Sequence, residues 1–325
     1  MKNKWIKVSA VITGGISVFM ALGWSFFKLV VYCKKSEKKV DRKKWFTFSK
    51  MKMNHPRDQY EEKYEKGKAW CKEQPMQDCY LESTDGLILH AYYLPAHHPK
   101  RYILLSHGYK GSGFGDFANV AKFLHENGCN LLFIDQRCCG LSQGEYITFG
   151  AKEQYDIQKW AYYIEKRNHK RFPIYLYGES MGAAAVLMSL NHDLPKDVRG
   201  VISDCGFCSM KNQLRNLAAD WFHIHWIELM LFRVDIFCRI LGGFRMEEAD
   251  TTEALKNNSR PILFFHGLND TFVNPKNSLY NYHICMAPKE IVMIPGARHL
   301  CSSYRKEDFY RKKLMGFFEK YDSRR

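Results

Sequence analysis

The chain has 325 residues, a net charge of +15 and an apolar fraction of 46%, which is typical of a protein that buries a folded core. Residues 1–50 hold twelve Lys or Arg against two acids, a local balance of +10, so only +5 remains for the other 275 residues. This distribution argues against a nucleic-acid-binding groove, which would need its basic residues on the folded domain.

The first predicted element is a hydrophobic segment within residues 1–34. Val8–Phe27 contains no charged residue over twenty positions, which is enough to span a bilayer as a helix, and lysines lie on both sides of it. We predict a single-pass anchor in the cell membrane. One alternative is a cleaved signal peptide, which is disfavoured because apolar sequence continues to Val31. The other is a buried core helix, which is disfavoured by the basic residues on both sides. The basic residues on the two sides favour opposite orientations, so the side of the membrane stays open.

Residues 35–77 are predicted to form a Lys-rich linker and an amphipathic helix around Asp58–Trp70. Apolar runs of strand length then alternate with helical patterns. We predict eight strands, of which the first two form a hairpin, at 78–82, 87–94, 102–106, 130–134, 174–177, 198–203, 261–266 and 290–294. Continuous apolar runs separated by helices indicate an α/β domain at 78–325, with a mostly parallel sheet and helices on both faces.

Residues 209–250 interrupt this alternation with helical patterns. The predicted helix Trp226–Leu241 is apolar nearly all round, so it must be covered on several sides or line an apolar cavity. Its place between the sixth and seventh strands favours a helical lid over an active site, with extra core as the alternative. The candidate substrate-binding residues are Trp221, Trp226 and Met230.

The most informative motif is the pentapeptide Gly-Glu-Ser-Met-Gly at 178–182, between the fifth strand and an Ala-rich helix. A strand-to-helix turn this tight strains its central residue and needs neighbours without a Cβ atom, which Gly178 and Gly182 supply. Ser180 is therefore presented at the tip as a candidate nucleophile.

A serine hydroxyl needs a histidine to remove its proton, and that histidine needs an acid to hold its tautomer. In a sheet of this kind the acid and the base follow later strands, in the order Ser, acid, His. Asp270 follows the seventh strand and His299 follows the eighth, so they are the predicted acid and base. Asp204, at the end of the sixth strand, is the alternative acid.

The negative oxygen of a tetrahedral intermediate needs preorganised N–H donors. The backbone N–H of Met181, at the start of the helix after the nucleophile, is one candidate. The second is the N–H of Tyr109 in the loop after the third strand, where Gly108 lets the backbone approach closely. His107 in the same loop is predicted to brace the loop rather than to act as a second base.

Cys205 and Cys208 have the spacing of a redox or half zinc site, and His223 and His225 lie downstream. A metal site would need both pairs to converge, so ordinary thiols are the favoured interpretation, and a thiol-redox function is an alternative class. The chain has neither a phosphate-binding loop nor a dinucleotide fingerprint. We therefore predict no cofactor and no metal.

From about Asp78 to Arg325 the chain resembles the α/β-hydrolases, within them the bacterial serine-aminopeptidase-like and monoacylglycerol-lipase-like hydrolases, which often carry an N-terminal membrane segment. The resemblance rests on motifs in a specific order: Ser106-His107-Gly108-Tyr109; Asp135-Gln136-Arg137 with Gly140, Ser142 and Gly144; the pentapeptide; His266-Gly267 with Asp270 and Val273; and Gly296 with His299. Cys138-Cys139 depart from the pattern, since such proteins more often have small residues or His there.

The resemblance implies an α/β-hydrolase fold and a serine hydrolase that cleaves an ester or amide through an acyl-enzyme. An apolar lid suits an acyl chain and no acidic cluster is placed to hold a peptide amine, so the predicted function is a carboxylesterase acting on lipid-like or short acyl esters. A serine peptidase or amidase of the same fold and a non-catalytic, membrane-tethered binding protein are the alternatives. The predicted partners are a small ester substrate and the membrane, without nucleic acid.

Overall fold

The computed structural model describes residues 20–33, 58–223 and 227–323. Its centre is an eight-stranded sheet in the order β1-β2-β4-β3-β5-β6-β7-β8, where β1, β2 and β4 pair antiparallel and the other pairs are parallel. The strands are β1 Gln77–Glu82, β2 Ile88–Leu94, β3 Arg101–Ser106, β4 Cys129–Asp135, β5 Ile174–Glu179, β6 Val198–Asp204, β7 Ile262–Gly267 and β8 Lys289–Ile294. The predicted α/β class, with its initial hairpin and mostly parallel sheet, is confirmed.

Helices connect these strands and precede the first of them. In the described residues they are α1 at 20–30, α2 Glu61–Glu73, α3 Gly113–Asp116, α4 Ala121–Glu126, α5 Glu153–Arg167, α6 Met181–Met188, α7 Met210–Phe222, α8 Glu228–Phe237, α9 Thr252–Asn257, α10 Lys276–Ile284, α11 Ser302–Arg305 and α12 Glu307–Asp322. A π-helical turn, Cys238–Gly242, follows α8 directly.

Two apolar cores form on the two faces of the sheet, because successive residues of a strand point to opposite sides. In β3, Leu104 packs in the core under α5 and α6, whereas Ile103 and Leu105 pack in the core under α2, α4 and α12. All six residues of β3 are buried, as expected of a parallel strand that is covered on both faces.

The segment at 209–250 contains α7, α8 and the π turn. An antiparallel bridge between Ser209 and Asp250 closes it at its base. The predicted helix at 226–241 corresponds to α8 and most of the π turn. We call α7, α8 and the π turn the inserted helices.

The N-terminal helix α1 packs against the sheet domain. Phe27 and Val31 are fully buried, the N–H of Cys33 donates to the carbonyl of Glu145 at 2.7 Å, and the N–H of Ile147 donates to the carbonyl of Val31 at 2.9 Å. Residues 20–33 therefore pack against the α/β domain, although the predicted boundaries at 34 and 78 assign them to a separate segment. Those boundaries stay predictions.

Residues 8–19 of the predicted membrane segment lie outside the described residues. None of the helices in residues 20–33, 58–223 and 227–323 has both the length and the apolar character that crossing a bilayer requires.

A buried ion-pair group holds the loop after β4. The guanidinium of Arg137 lies 2.8 Å from the carboxylate of Asp156 and 3.0 Å from that of Asp85, and both Arg137 and Asp156 are almost completely buried. Burial raises the pKa of Asp156 to about 6, although the charge of Arg137 acts in the opposite direction.

We expect Arg137→Met to lower the free energy of unfolding by about 3–5 kcal/mol, because Asp156 would stay buried without its partner. Chemical denaturation measures the change. The double variant Arg137→Met/Asp156→Asn also removes the charge of Asp156, so part of the loss should be recovered. An unchanged denaturation midpoint in the single variant would contradict a structural role for this pair.

Candidate functional site

The turn between β5 and α6 holds Ser180 in a strained backbone conformation, with φ 55° and ψ −117°. Two glycines allow the close approach that this turn needs. A Cβ atom on Gly182 would lie 1.9 Å from the carbonyl oxygen of Ser106, and one on Gly178 would lie 2.3 Å from the carbonyl oxygen of Gly182. The backbone therefore fixes Ser180 at the tip of the turn, beside the end of β3.

The structure brings Ser180, His299 and Asp270 together from the ends of three strands. His299 Nε2 lies 3.0 Å from Ser180 Oγ, and His299 Nδ1 lies 2.7 Å from Asp270 Oδ2. The three residues are only 3%, 6% and 5% exposed. When Nδ1–H donates to the carboxylate, Nε2 is left as the acceptor for the serine proton, which is the tautomer that a general base requires.

Asp270 is surrounded by hydrogen-bond donors. Its Oδ1 accepts the backbone N–H groups of Phe272 at 2.8 Å and Val273 at 2.9 Å, and His266 Nε2 lies 3.2 Å from its Oδ2. Burial acts to raise the pKa of this carboxyl, but the attraction of His299 and the hydrogen bonds from both histidines outweigh it. They hold the pKa well below its usual range, so Asp270 stays charged.

The alternative acid, Asp204, is used differently. Its carboxylate accepts the hydroxyl of Ser302 at 3.0 Å and that of Tyr310 at 2.9 Å. Its backbone carbonyl accepts the N–H of Ser180 at 2.9 Å. Of the two candidate acids, Asp270 is the one whose carboxylate is hydrogen-bonded to His299, whereas Asp204 supports the turn between β5 and α6.

The loop after β3 passes beside the candidate nucleophile. A Cβ atom on Gly108 would lie 3.2 Å from Ser180 Cβ, and the N–H of Gly108 donates to Asp116 Oδ2 at 2.7 Å. The two predicted oxyanion donors therefore lie next in sequence to groups that border the site, Tyr109 after Gly108 and Met181 after Ser180. Their roles as N–H donors stay predictions.

His107 is held by the loop after β4, since its Nε2 accepts the backbone N–H of Gln136 at 3.1 Å, and the Gln136 side-chain amide donates to the His107 carbonyl. It braces the loop, as the sequence predicts.

Asp116 and His266 contact the site, but no role was predicted for either from the sequence. The available signals were an acid a few residues beyond a Gly-rich loop whose N–H groups need acceptors, and a histidine four residues before the predicted acid.

An apolar cluster borders Ser180 on the side of α1 and the inserted helices. It contains Met181, Phe27, Phe149 and Val273, and the partly buried Tyr109 and Met230 pack against it. Of the three predicted substrate-binding residues, Met230 packs against this cluster, and its role stays a prediction. The side chain of Trp221 and the whole of Trp226 lie outside what the structure describes.

One thiol, that of Cys205, lies beside the candidate acid and base. Cys205, Asp270 and His299 each offer a ligand atom within 4.8 Å of the others. Burial raises the pKa of the Cys205 thiol well above its usual value, which disfavours the thiolate that a metal needs, and Asp270 and His299 are already hydrogen-bonded to each other. The donor set therefore fits proton transfer better than metal binding.

The metal site considered for Cys205, Cys208 and the two downstream histidines is not formed in the described part of the chain. Cys208 Sγ contacts the side chain of Asn277 at 3.1 Å instead, and His223 is exposed. His225 lies outside the described residues.

The chain is similar to several known proteins. The family described as serine aminopeptidase, S33, matches residues 97–236. The uncharacterized protein YqkD of Bacillus subtilis is 25% identical over 243 residues, which cover 74% of this chain and 78% of that protein. Among solved structures, the Pyrococcus furiosus esterase Pf2001 matches with a TM-score of 0.62 at 18% identity, over 77% of this chain and 94% of the esterase.

A Pyrococcus horikoshii acylaminoacyl peptidase matches with a TM-score of 0.57 at 16% identity, over 80% of this chain and 44% of the peptidase. Structural likeness at such identities shows the fold. It leaves the choice between an ester and a peptide substrate to the chemistry of the site.

Proposed function

We propose that this chain, which has an α/β-hydrolase fold and is similar to the serine aminopeptidases over residues 97–236, cleaves carboxylic esters with lipid-like or short acyl groups through an acyl-enzyme. The observation that carries the proposal is the hydrogen-bonded series Ser180, His299, Asp270 at the tip of the strained turn. A nucleophile, a base within hydrogen-bond reach and an acid that orients the base are the groups that this reaction needs.

In the first half of the reaction, Ser180 Oγ attacks the ester carbonyl while its proton passes to His299 Nε2. The charge of Asp270 stabilises the imidazolium that forms. The backbone N–H groups of Met181 and Tyr109 are the proposed donors to the negative carbonyl oxygen. The imidazolium then gives its proton to the departing alcohol oxygen, and the acyl group stays on Ser180.

In the second half, water takes the place of the alcohol. His299 removes a proton from the water as it attacks the acyl carbonyl, a second tetrahedral intermediate forms, and its collapse releases the acid and returns the proton to Ser180. No step requires a cofactor, because each proton that leaves one oxygen is delivered to another through His299.

An apolar binding region favours esters of fatty or short acids. Met230, on the inserted helices, packs against the cluster that contains Met181, the neighbour of Ser180. We propose that the inserted helices act as a lid whose apolar inner side binds the acyl chain, with Trp221 and Trp226 as further contacts. The peptidase alternative is supported by the family match, which is described as serine aminopeptidase.

The test uses the full-length chain in mild detergent, because residues 20–33 contribute buried contacts to the domain. A fluorophosphonate probe should label the wild type and leave Ser180→Ala unlabelled. Turnover is then measured on p-nitrophenyl esters of increasing chain length and on aminoacyl p-nitroanilides. We expect kcat/KM for the best ester to exceed that for the best anilide by roughly tenfold or more, and all turnover to vanish in Ser180→Ala.

A preference for anilides would replace the esterase by the peptidase. Absence of labelling and of turnover in folded wild-type protein would favour the binding-protein alternative. A thiol-redox function predicts the reverse pattern of effects, in which Ser180→Ala is silent and Cys208→Ser is not.

A further inference from the structure

We propose that the surface formed by α1, α8 and the π turn lies against a lipid bilayer, so that the hydrolase takes its ester from the membrane. We call this surface the apolar face and define it by six exposed side chains: Leu22, Leu29, Leu229, Phe232, Ile240 and Leu241. The docking of this face is argued independently of catalysis, and the entry of the substrate from the membrane rests on the proposed function.

The apolar face is unusually exposed for side chains of its type. Phe232 is 60% exposed and Ile240 is 71% exposed. Leu22 and Leu29 are seven residues apart and therefore share one side of α1, while Leu229 and Phe232 are three apart and share one side of α8. Clustered apolar exposure of this kind marks an interaction site rather than ordinary surface.

Direct contacts join the two helices. The backbone of α1 at Gly23 packs against the side chain of Arg233 on α8, since a Cβ atom on Gly23 would lie 2.5 Å from Arg233 Cβ. The ring of Phe237 lies 5.4 Å from that of Trp24 and 5.8 Å from that of Phe27, measured between ring centroids. Whatever surrounds the first turns of α1 is therefore also in contact with α8.

The sequence before α1 identifies lipid as the occupant. Val8–Phe27 is free of charge, and its last eight residues, 20–27, belong to α1. At a rise of 1.5 Å per residue these eight residues extend about 12 Å along the helix axis. A bilayer that covers the exposed side of this segment would also reach α8, which packs against α1.

Positive charge accompanies the apolar face. Lys28 lies on α1 and Arg233 lies on α8, whereas Arg239 is paired with Asp235 at 2.6 Å, and seven further Lys or Arg follow between residues 34 and 44. Basic residues next to a membrane segment are attracted to anionic lipid head groups. The basic residues at 34–44 therefore favour lipid as the occupant.

The same helix touches the candidate site. The hydroxyl of Tyr109 donates to the carbonyl of Val30 at 2.7 Å, and Phe27 and Val31 belong to the apolar cluster that contains Met181. The apolar face and the proposed acyl-binding region are therefore two sides of one helical layer.

The first experiment needs no activity. The full-length chain is reconstituted in phosphatidylcholine and phosphatidylglycerol vesicles that contain a phospholipid with a diazirine in its acyl chain, irradiated, and mapped by mass spectrometry. We expect adducts on α8 and the π turn. The matched controls are Tyr80 and Met286, which are 55% and 76% exposed and lie elsewhere on the domain. Adducts confined to residues before 20, or equally frequent at Met286, would overturn the proposal.

The second experiment separates docking from catalysis. Phe232→Asp/Ile240→Asp is compared with the control Tyr80→Asp/Met286→Asp on a soluble p-nitrophenyl ester and on a long-chain ester embedded in vesicles. We expect the first variant to lose roughly tenfold or more on the embedded ester and nothing on the soluble one, which also shows that it is folded. If Phe232→Asp/Ile240→Asp changed the turnover of both esters by the same factor relative to the wild type, substrate entry from the membrane would be contradicted.

Two further outcomes are distinguishable. If the wild type turns over neither ester, the proposed function fails, and the lipid adducts still decide whether the apolar face docks on a bilayer. If the double variant changes the oligomeric state in detergent from dimer to monomer, the face joins two copies of the chain and the lipid proposal is wrong.

Discussion

His299→Ala is expected to lower kcat on a p-nitrophenyl ester by roughly 10⁴- to 10⁶-fold, with little change in KM. The distance of 3.0 Å between Nε2 and Ser180 Oγ makes His299 the acceptor of the serine proton, and attack by a neutral hydroxyl is far slower. Residues that act as one unit are not additive, so Ser180→Ala/His299→Ala should be no slower than either single variant. Steady-state kinetics at saturating ester measure the loss.

The matched control is His169→Ala, which removes an exposed histidine. It should leave kcat unchanged. If His299→Ala retained activity within about tenfold of the wild type, another group would have to remove the serine proton, and the assignment of the base would be wrong.

Asp270→Asn is expected to lower kcat by roughly 10⁴-fold while the fold stays intact. An amide has no charge to stabilise the imidazolium, and its NH₂ group can donate to His299 Nδ1, which would put the histidine proton on Nε2, facing Ser180. A base that already carries a proton on that nitrogen cannot accept the serine proton. The loss should appear in kcat and be accompanied by slower fluorophosphonate labelling.

Asp204→Asn is the comparison that makes this prediction sharp. Both carboxylates are buried at strand ends, but the Asp204 carboxylate is hydrogen-bonded to Ser302 and Tyr310. Its loss should cost about 1 kcal/mol, the value of a buried hydrogen bond, or roughly five- to tenfold if the whole effect falls on the rate. A larger kinetic effect at Asp204 than at Asp270 would exchange their roles.

The sheet was predictable because its strands are continuous apolar runs, a pattern that a parallel sheet covered on both faces requires. The turn between β5 and α6 was predictable because two of its positions accept no Cβ atom, and glycine marks such positions in a sequence. Asp270 and His299 were found from their order after strand ends, and the structure places them beside Ser180. Their catalytic roles remain predictions until kinetics test them.

Other features depend on contacts between residues that are distant in sequence. The approach of His266 to Asp270 and of Asp116 to Gly108 is set by how the loops fold. The packing of α1 was missed for a different reason. An apolar helix has the same pattern whether its neighbour is lipid or a protein core, so Phe27 could not be assigned to a buried contact from the sequence.

Because residues 20–33 pack against the domain, proteolysis within the basic residues 34–57 should not release the N-terminal part of the chain. Cys33 is hydrogen-bonded to the domain on one side of this segment, and α2 rejoins the domain on the other, where Lys63 forms an ion pair with Glu307. Residues 34–57 therefore connect two points on the same body. A protease that cleaves within 34–57 would yield two fragments on a denaturing gel, while in native buffer they stay associated and sediment together.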